Sequence, residues 1–289
     1  MAARRFGLIA ASGATYCASV YLALAYLNPG NDEVKSDNSK SSSVFSYVNN
    51  PLRTQTFQRI ASAYDDDISK DEFVMGINLL RRSLLYFHAK GDVLEVGAGT
   101  GRNISYYPNS NTVQKIIMTD TSNRMLEQAQ KKLSYMRKDS RFELKVADAS
   151  NLSMYPDNSF DTVVDTFGLC SFDNPKQVLL ELQRVCKPDG KILLLEHGTT
   201  KEYKGLAEYL DKYAERHAKN WGCVWNREIE KIVNDSGLTI ETKSTWHFGT
   251  TYYLVCKPGC QTIRKQIENE IKEDGHDIIA TACSCKHHK

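Results

Sequence analysis

The chain has 289 residues, of which 41% are hydrophobic and 10% are aromatic. This much apolar material can bury one full-sized core, so we expect a single large domain with extensions. The 37 Lys and Arg residues nearly balance the 35 Asp and Glu residues, and the formal net charge of +2 predicts no nucleic-acid partner.

The eight cysteines are scattered along the chain. They lack the CxxC spacing of a zinc site and the density of a disulfide scaffold, so we interpret them as reduced, mostly buried thiols. Cys283 and Cys285 stand beside His287 and His288, whose side chains can ligate a metal, but a terminal tail is usually mobile. We therefore predict no metal site.

An uncharged and largely apolar run covers residues 6–27, after a basic tip at 1–5. As an α-helix rising about 1.5 Å per residue, this run spans the roughly 30 Å hydrocarbon core of a bilayer. A cleaved secretory signal is the alternative, although its apolar region is typically only about 7–15 residues long. We predict an uncleaved transmembrane anchor over 6–27.

The residues flanking the predicted anchor indicate its orientation and its membrane. Arg4 and Arg5 precede the run, whereas Asp32 and Glu33 follow it, so the positive-inside rule keeps the N-terminal tip in the cytoplasm or the mitochondrial matrix. We predict a single-pass protein of the mitochondrial inner membrane with its globular part in the intermembrane space; the endoplasmic reticulum membrane is the alternative. Residues 28–50 are polar and rich in Ser and Asn, which is typical of a flexible linker.

Apolar residues at helical spacing predict two helices over residues 51–90. After them, short apolar runs alternate with helical stretches, a pattern typical of βαβ units with helices on both faces of a parallel sheet. The predicted strands cover 92–96, 115–120, 142–148, 160–166 and 191–197. The predicted helices between them cover 101–107, 123–138 and 175–187, with Ser122 as the N-cap of the second. A helix near 226–236 then precedes two strands, 238–248 and 251–257, joined by a turn at Gly249.

A glycine-rich segment, Glu95-Val-Gly97-Ala-Gly99-Thr-Gly101, ends the first predicted strand. Glycines at such a place permit a tight turn and a close backbone approach to a ligand. A nicotinamide fingerprint GxGxxG would need a glycine at 102, where this chain has Arg102. The segment therefore predicts a cofactor loop other than a dinucleotide loop, and an ordinary strand-to-helix turn is the alternative.

Two acidic residues stand at the ends of the next two predicted strands. Asp120 is placed where a carboxylate can accept hydrogen bonds from both hydroxyls of a ribose. Asp148, followed by Ala149, is placed where a carboxylate can accept from an adenine amino group. Either acid alone would be interpreted as a solvated loop residue. Together with the glycine loop, at successive carboxyl ends of strands where open α/β sheets bind ligands, they predict S-adenosylmethionine as the cofactor.

The order of these motifs resembles that of class I S-adenosylmethionine-dependent methyltransferases over about residues 52–258. The resemblance continues in FDTVVDTFGLCSF and LQRVCKPDGKILLLEHG. FQRIASAYD is similar to the first helix of the ubiquinone and menaquinone biosynthesis methyltransferases. GLCSF, LEHG and WGCVWNREIEKIVNDSGL resemble the membrane-anchored methyltransferase-like 7 proteins and their fungal mitochondrial inner-membrane relatives.

This resemblance implies an α/β fold, with a Rossmann-like seven-stranded sheet whose last strand inserts antiparallel. We expect the methyltransferase domain over 51–258, a substrate-cap insertion at 203–225, and a C-terminal helix and tail over 259–289. The expected cofactor-binding residues are Glu95, Gly97, Gly99, Gly101, Asp120, Thr121, Asp148, Ala149 and Thr166.

The acceptor is expected beside the fourth and fifth strands. Methyl transfer from a sulfonium is an in-line displacement, so the protein chiefly aligns a nucleophile and excludes water. His197 follows the fifth strand and can take a proton from a hydroxyl or a thiol; a structural histidine at a strand end is the alternative. The expected substrate-contacting residues are Tyr64, Cys170, Trp221 and Trp225. These aromatic residues and the predicted anchor favour a small lipophilic acceptor, and the resemblance implies a quinone-like lipid or a thiol.

Other functions remain open at this stage. The segment between Asp165 and Asp173 has no proline, unlike the Pro-Pro-aromatic motif of DNA and RNA amino-methyltransferases. A cofactor-binding assembly or mRNA-stabilising factor of the mitochondrial membrane, with little or no turnover, is the alternative function because a fold does not by itself establish activity. The sequence does not indicate the acceptor atom, whether O, S, N or C, or the oligomeric state.

Overall fold

The computed structural model describes residues 52–135 and 139–259. The predicted tip at 1–5, the anchor at 6–27, the linker at 28–50 and the tail beyond 259 lie outside these described residues. Among the described helices, none combines the length and the apolar character that a membrane crossing requires.

Seven strands form one mixed sheet in the order β3-β2-β1-β4-β5-β7-β6. Their bounds are β1 Gly91–Val96, β2 Val113–Asp120, β3 Phe142–Val146, β4 Phe160–Thr166, β5 Cys186–His197, β6 Thr239–Trp246 and β7 Thr251–Lys257. Strands β1 to β5 pair in parallel, whereas β7 pairs antiparallel with both β5 and β6. The predicted seven-stranded sheet with an antiparallel last strand is confirmed.

Seven α-helices flank the described sheet. They are α1 Leu52–Ile60, α2 Tyr64–Val74, α3 Ile77–His88, α4 Asn123–Tyr135, α5 Pro175–Val185, α6 Lys204–Trp221 and α7 Ile229–Asp235. The prediction of Ser122 as the N-cap of α4 is confirmed, because its Oγ accepts from the Met125 N–H at 3.3 Å. The predicted cap region at 203–225 consists of helix α6 and the loop that follows it.

Two helix predictions were wrong. The region 51–90 holds three helices, because α1 ends at Ile60 and a turn at 61–63 separates it from α2, while Gly76, with a left-handed φ of 71°, separates α2 from α3. The predicted helix 101–107 is reduced to a single turn of 3₁₀ helix, Ile104–Tyr106. The glycine loop occupies the chain up to Gly101, and Pro108 disfavours helical geometry at the residue before it, so little chain is left for a helix.

The core lies on both faces of the central strands. In β5, Ile192 and Leu194 pack on one face, whereas Leu193 and Leu195 pack on the other. Burial on both faces is typical of parallel strands covered by helices. The strand order reverses beside β1, between β2 and β4, and the carboxyl ends of these strands therefore meet at the crevice where such sheets bind ligands.

Candidate active site

A cavity of about 410 Å³ opens at the carboxyl ends of β1 to β4. Its wall includes eight of the predicted cofactor residues: Glu95, Gly97, Gly99, Asp120, Thr121, Asp148, Ala149 and Thr166. Gly101 is not among the lining residues, because the position of its missing side chain faces the protein. A Cβ there would lie 2.5 Å from Ile104 Cδ1, so Gly101 permits tight packing behind the loop.

The glycine loop turns through left-handed backbone at Gly97 and Gly99, with φ values of 57° and 56°. A Cβ on Gly97 would lie 3.2 Å from the ring of Phe172. A Cβ on Gly99 would meet no other atom closer than 4.0 Å, although Gly99 lines the cavity. Gly99 is therefore the place where the backbone leaves open room for a ligand.

Asp120 connects the glycine loop to the start of α4. Its Oδ2 accepts from the Gly99 N–H at 2.8 Å and its Oδ1 accepts from the Ser122 N–H at 2.7 Å. Burial raises the pKa of Asp120, against the lowering effect of these two backbone hydrogen bonds. Each carboxylate oxygen has a further lone pair, so Asp120 can also accept from two ligand hydroxyls.

Asp148 and Ala149 line the cavity just beyond β3. Asp148 is exposed, and its Oδ1 accepts from the backbone N–H and the hydroxyl of Ser150, each at 2.8 Å. Ala149 is buried. Both residues therefore lie at the cavity, with the carboxylate held by a local turn, and their contact with adenine stays a prediction.

Glu95 belongs to a buried polar network behind the cavity. Its two oxygens accept from Asn103 Nδ2 at 3.0 Å and from the Tyr107 hydroxyl at 2.6 Å. Burial raises the pKa of Glu95 to about 7. The Thr166 hydroxyl accepts from Arg81 at 2.8 Å and from Asn103 at 3.0 Å, so it joins β4 to the same network.

Arg81 is a site residue that the sequence analysis missed. Its side chain is buried and lines the cavity, and it pairs with Glu72 at 2.8 Å. Glu72 also pairs with Arg102 at 2.7 Å. Burial tends to raise the pKa of Glu72, but Arg81 and Arg102 outweigh this and lower it. This network fixes α2 over the cavity, and no motif signalled it because its members come from separate elements.

Asp165 and Glu196 form a fully buried carboxyl pair at the ends of β4 and β5. Glu196 Oε1 accepts from the Gly168 N–H at 3.3 Å, whereas neither oxygen of Asp165 accepts a hydrogen bond of normal geometry from the described residues. Burial raises the pKa of Asp165 to about 8. Burial also raises the pKa of Glu196, and the adjacent Asp165 raises it further. Two buried carboxylates this close do not both ionise, so the pair retains a proton near neutral pH.

His197 ends β5 beside two thiols. Its ring packs against Phe167, with 4.3 Å between ring centroids. One ligand atom from each of His197, Cys170 and Cys223 lies within 4.8 Å of the other two. Both cysteines are buried and free. The sequence analysis predicted roles for His197 and Cys170 but missed Cys223, which lies far along the chain in the loop after α6.

The predicted substrate residues fall in different places. Tyr64 lines the cofactor cavity. Trp221 and Trp225 line a separate groove of about 170 Å³ along α6. The Trp225 ring stacks on His217 with centroids 3.8 Å apart, and its Nε1 donates to the Leu210 carbonyl at 2.8 Å. The described structure therefore does not bring the two tryptophans to the cavity.

Comparison with known proteins identifies several relatives. The methyltransferase domain family matches residues 94–194. The mitochondrial methyltransferase OMS1 of Saccharomyces cerevisiae is 36% identical over 71% of this chain, and the chain spans only 46% of its length. A phosphatidylethanolamine N-methyltransferase of Cereibacter sphaeroides is 32% identical over 55% of this chain and 76% of its own length. The thiol S-methyltransferase TMT1B of Rattus norvegicus is 35% identical over 36% of this chain and 42% of its own length.

A solved structure agrees with these relatives at the level of the fold. The O-methyltransferase family protein from Burkholderia thailandensis superimposes with a TM-score of 0.57 at 15% identity, covering 72% of this chain and 62% of that chain. The sheet order, the ligand crevice beside β1 and the sequence relatives all point to one family. The chain belongs to the class I S-adenosylmethionine-dependent methyltransferases, whose cofactor is S-adenosylmethionine.

Proposed function

We propose that this chain transfers the methyl group of S-adenosylmethionine to a small lipophilic acceptor, either a thiol or a quinone-like molecule. The observation that carries the proposal is the cavity, in which an open glycine position and a fixed aspartate lie side by side. TMT1B, a relative over part of the chain, is named as a thiol S-methyltransferase, which supports a thiol among the acceptors.

In this proposal the adenosine lies over the ends of β2 and β3. Asp120 accepts from the ribose hydroxyls, with Thr121 beside it, and Asp148 and Ala149 meet the adenine. The methionine part extends along Gly97 toward the end of β4. The backbone at Gly99 makes the closest approach to the cofactor.

In the same proposal the acceptor enters at the opposite end, near β4. Phe57, Tyr64, Phe167 and Phe172 are among the residues that line the cavity, and these aromatic rings favour a lipophilic molecule. For a hydroxyl acceptor such as a quinol, His197 takes the proton as the methyl group is transferred. The chemistry otherwise requires alignment and the exclusion of water.

The proposal includes attachment to the mitochondrial inner membrane through residues 6–27. The mitochondrial relative and the uncharged run support it. A patch of exposed apolar side chains also supports it, since Phe73 is 75% exposed and Leu79 is 69% exposed. His247 Nε2 lies 2.8 Å from the carbonyl oxygen of Met75, which joins the β6–β7 turn and its half-exposed Trp246 to this patch.

A transfer assay with the full chain in nanodiscs tests the proposal. S-adenosylmethionine carrying a labelled methyl group is incubated with a panel of aliphatic thiols and quinols, and the organic phase is analysed by mass spectrometry. We expect labelled thioether or ether product that disappears in the Gly99→Val variant. Cofactor binding by calorimetry with no product from any acceptor would instead favour the non-enzymatic assembly or mRNA-stabilising factor.

A further inference from the structure

Two thiols and an imidazole converge beside the cofactor cavity. Cys170 lies in the loop after β4, His197 ends β5, and Cys223 lies in the loop after α6. The backbone fixes this convergence, because the Val224 N–H donates to the Cys170 carbonyl at 2.8 Å and so holds the two cysteine loops together.

The distances suit a single metal ion. Zinc binds thiolate sulfur at about 2.3 Å and imidazole nitrogen at about 2.0 Å, so the ligand atoms of a tetrahedral site lie roughly 3.5–3.8 Å apart. Here one ligand atom from each residue lies within 4.8 Å of the other two. Side-chain rotations that move the ligand atoms by about 1 Å would bring all three onto one ion and leave one coordination position open.

The three side chains favour some metal ions over others. Two thiolates and one imidazole are soft to intermediate ligands, which favour zinc over magnesium or calcium. Three protein ligands with an open fourth position are the arrangement of catalytic rather than structural zinc. Two thiolates also neutralise the charge of the ion, so a bound complex is tolerated in this buried place.

The trio borders the space where the acceptor is proposed to lie. Phe167 lines the cavity and also packs against His197. Tyr64, whose side chain is expected to contact the acceptor, also lines the cavity. The trio therefore lies next to the cavity, with Phe167 in contact with both.

We propose that Cys170, Cys223 and His197 bind zinc, and that the acceptor is a thiol which occupies the fourth coordination position as its thiolate. This inference rests on the proposed function and narrows its acceptor to thiols. On binding, the thiol releases its proton to solvent, since zinc lowers the pKa of a coordinated group. His197 then acts as a ligand instead of as the general base.

The transfer step balances without any further reactant. A lone pair of the thiolate sulfur forms the new S–CH₃ bond, and the bond from the methyl carbon to the sulfonium sulfur breaks. That electron pair stays on the leaving sulfur, giving neutral S-adenosylhomocysteine. The thioether product is neutral and a weaker zinc ligand than a thiolate, so it leaves the site.

Metal analysis of the full chain tests the site independently of activity. The protein is purified under reducing conditions with Zn²⁺ in the growth medium and assayed for zinc by elemental mass spectrometry; Co²⁺ is then exchanged in and thiolate-to-cobalt absorption recorded. We expect about one zinc per chain, with at least a tenfold loss of metal in Cys223→Ser and in His197→Gln. Cys256→Ser is the matched control, because Cys256 is equally buried but lies in β7, and it should retain zinc.

The outcomes separate this inference from the function on which it rests. A parent protein that holds no zinc and gives no thiolate-to-cobalt absorption would overturn the zinc site, even if methyl transfer is observed. Zinc binding that is unchanged in Cys223→Ser would also overturn it. Zinc bound by the trio without methyl transfer to any thiol would reject the thiol step while leaving the metal site intact.

Discussion

At the end of the cavity between β1 and β2, the groups available to a ligand are backbone atoms and a carboxylate that the backbone itself fixes. Gly99 and Asp120 hold each other through a 2.8 Å hydrogen bond. Near the ends of β4 and β5, the side chains come from distant parts of the chain, among them Cys170, His197 and Cys223, which lie close to one another beside the cavity without lining it. The cofactor end therefore depends on local chain geometry, whereas the acceptor end depends on tertiary packing.

The largest effect is expected from Gly99→Val, which breaks the cofactor end alone. The isopropyl group would project into the open cavity, so we expect cofactor affinity to fall by at least about a thousandfold, or about 4 kcal/mol. Gly76→Val is the matched control. Gly76 has a similar left-handed φ of 71° and also meets no atom within 4 Å, but it lies away from the cavity. Both variants should lose similar stability, and equal cofactor affinities in calorimetry would reject the assignment of the loop.

The next largest effect is expected from His197→Gln, which breaks the acceptor end. Turnover should fall by about two to four decades, whether the imidazole moves a proton or holds a metal. Cofactor affinity should stay within a factor of about three, because the neighbours given for His197 in the described structure, Phe167 and the two thiols, do not belong to the glycine loop. Single-turnover methyl transfer measures the rate, and calorimetry measures the cofactor affinity. A near-parental rate would remove His197 from the mechanism.

Asp120→Asn should give a smaller but specific loss at the cofactor end. Each charge-assisted hydrogen bond contributes roughly 1.5–3 kcal/mol, so weakening those to the ribose should reduce affinity by about two decades. Asp148→Asn is the comparison, and we expect only about a tenfold loss there because Asp148 is exposed to solvent. Calorimetric titration of the folded variants with S-adenosylhomocysteine checks both values. A larger loss for Asp148→Asn would reverse the proposed order of importance.

The smallest effect on methyl transfer is expected from the buried pair at the ends of β4 and β5, which instead makes the free energy of unfolding depend on pH. Because burial raises the pKa of Asp165 from near 4 to about 8, the folded state binds more protons than the unfolded state between these pH values. Stability should therefore fall as pH rises from 4 to 8, by up to about 1.4 kcal/mol per pH unit for one proton.

Asp165→Asn should reduce that slope, because an amide cannot ionise and can donate to Glu196. Urea unfolding at a series of pH values measures the free energy of unfolding for both proteins. Glu95 also has a raised pKa, so a part of the parental slope comes from Glu95 and should remain in the variant. Identical slopes would show that Asp165 is ionised in the folded protein.

The same contrast explains what could be predicted from the sequence. The sequence predicted that the glycine loop, Asp120 and Asp148 meet because each stands at or just beyond the end of a strand, and parallel strands carry their carboxyl ends to one edge. The sheet itself was predicted because its apolar runs are continuous and regularly spaced. These features are local in the sequence, and the fold adds only their proximity.

Features that depend on distant parts of the chain were missed or misplaced. Arg81 and Cys223 acquire their partners only when α3 and the loop after α6 pack against the sheet. Trp221 and Trp225 were expected at the acceptor end, but helical spacing does not tell which neighbour a helix face will meet, and they line another groove. Acceptor specificity was accordingly the least predictable part of the molecule.

The claim that the two ends act independently is tested most directly by a double-mutant cycle with Asp120→Asn and His197→Gln. Single-turnover methyl transfer is measured for the parent, both single variants and the double variant at subsaturating cofactor. Because the two residues share no partner in the described structure, we expect their effects on the transfer free energy to add within about 0.5 kcal/mol. A coupling energy above about 1 kcal/mol would contradict the account, since it would mean that the cofactor end and the acceptor end form one network.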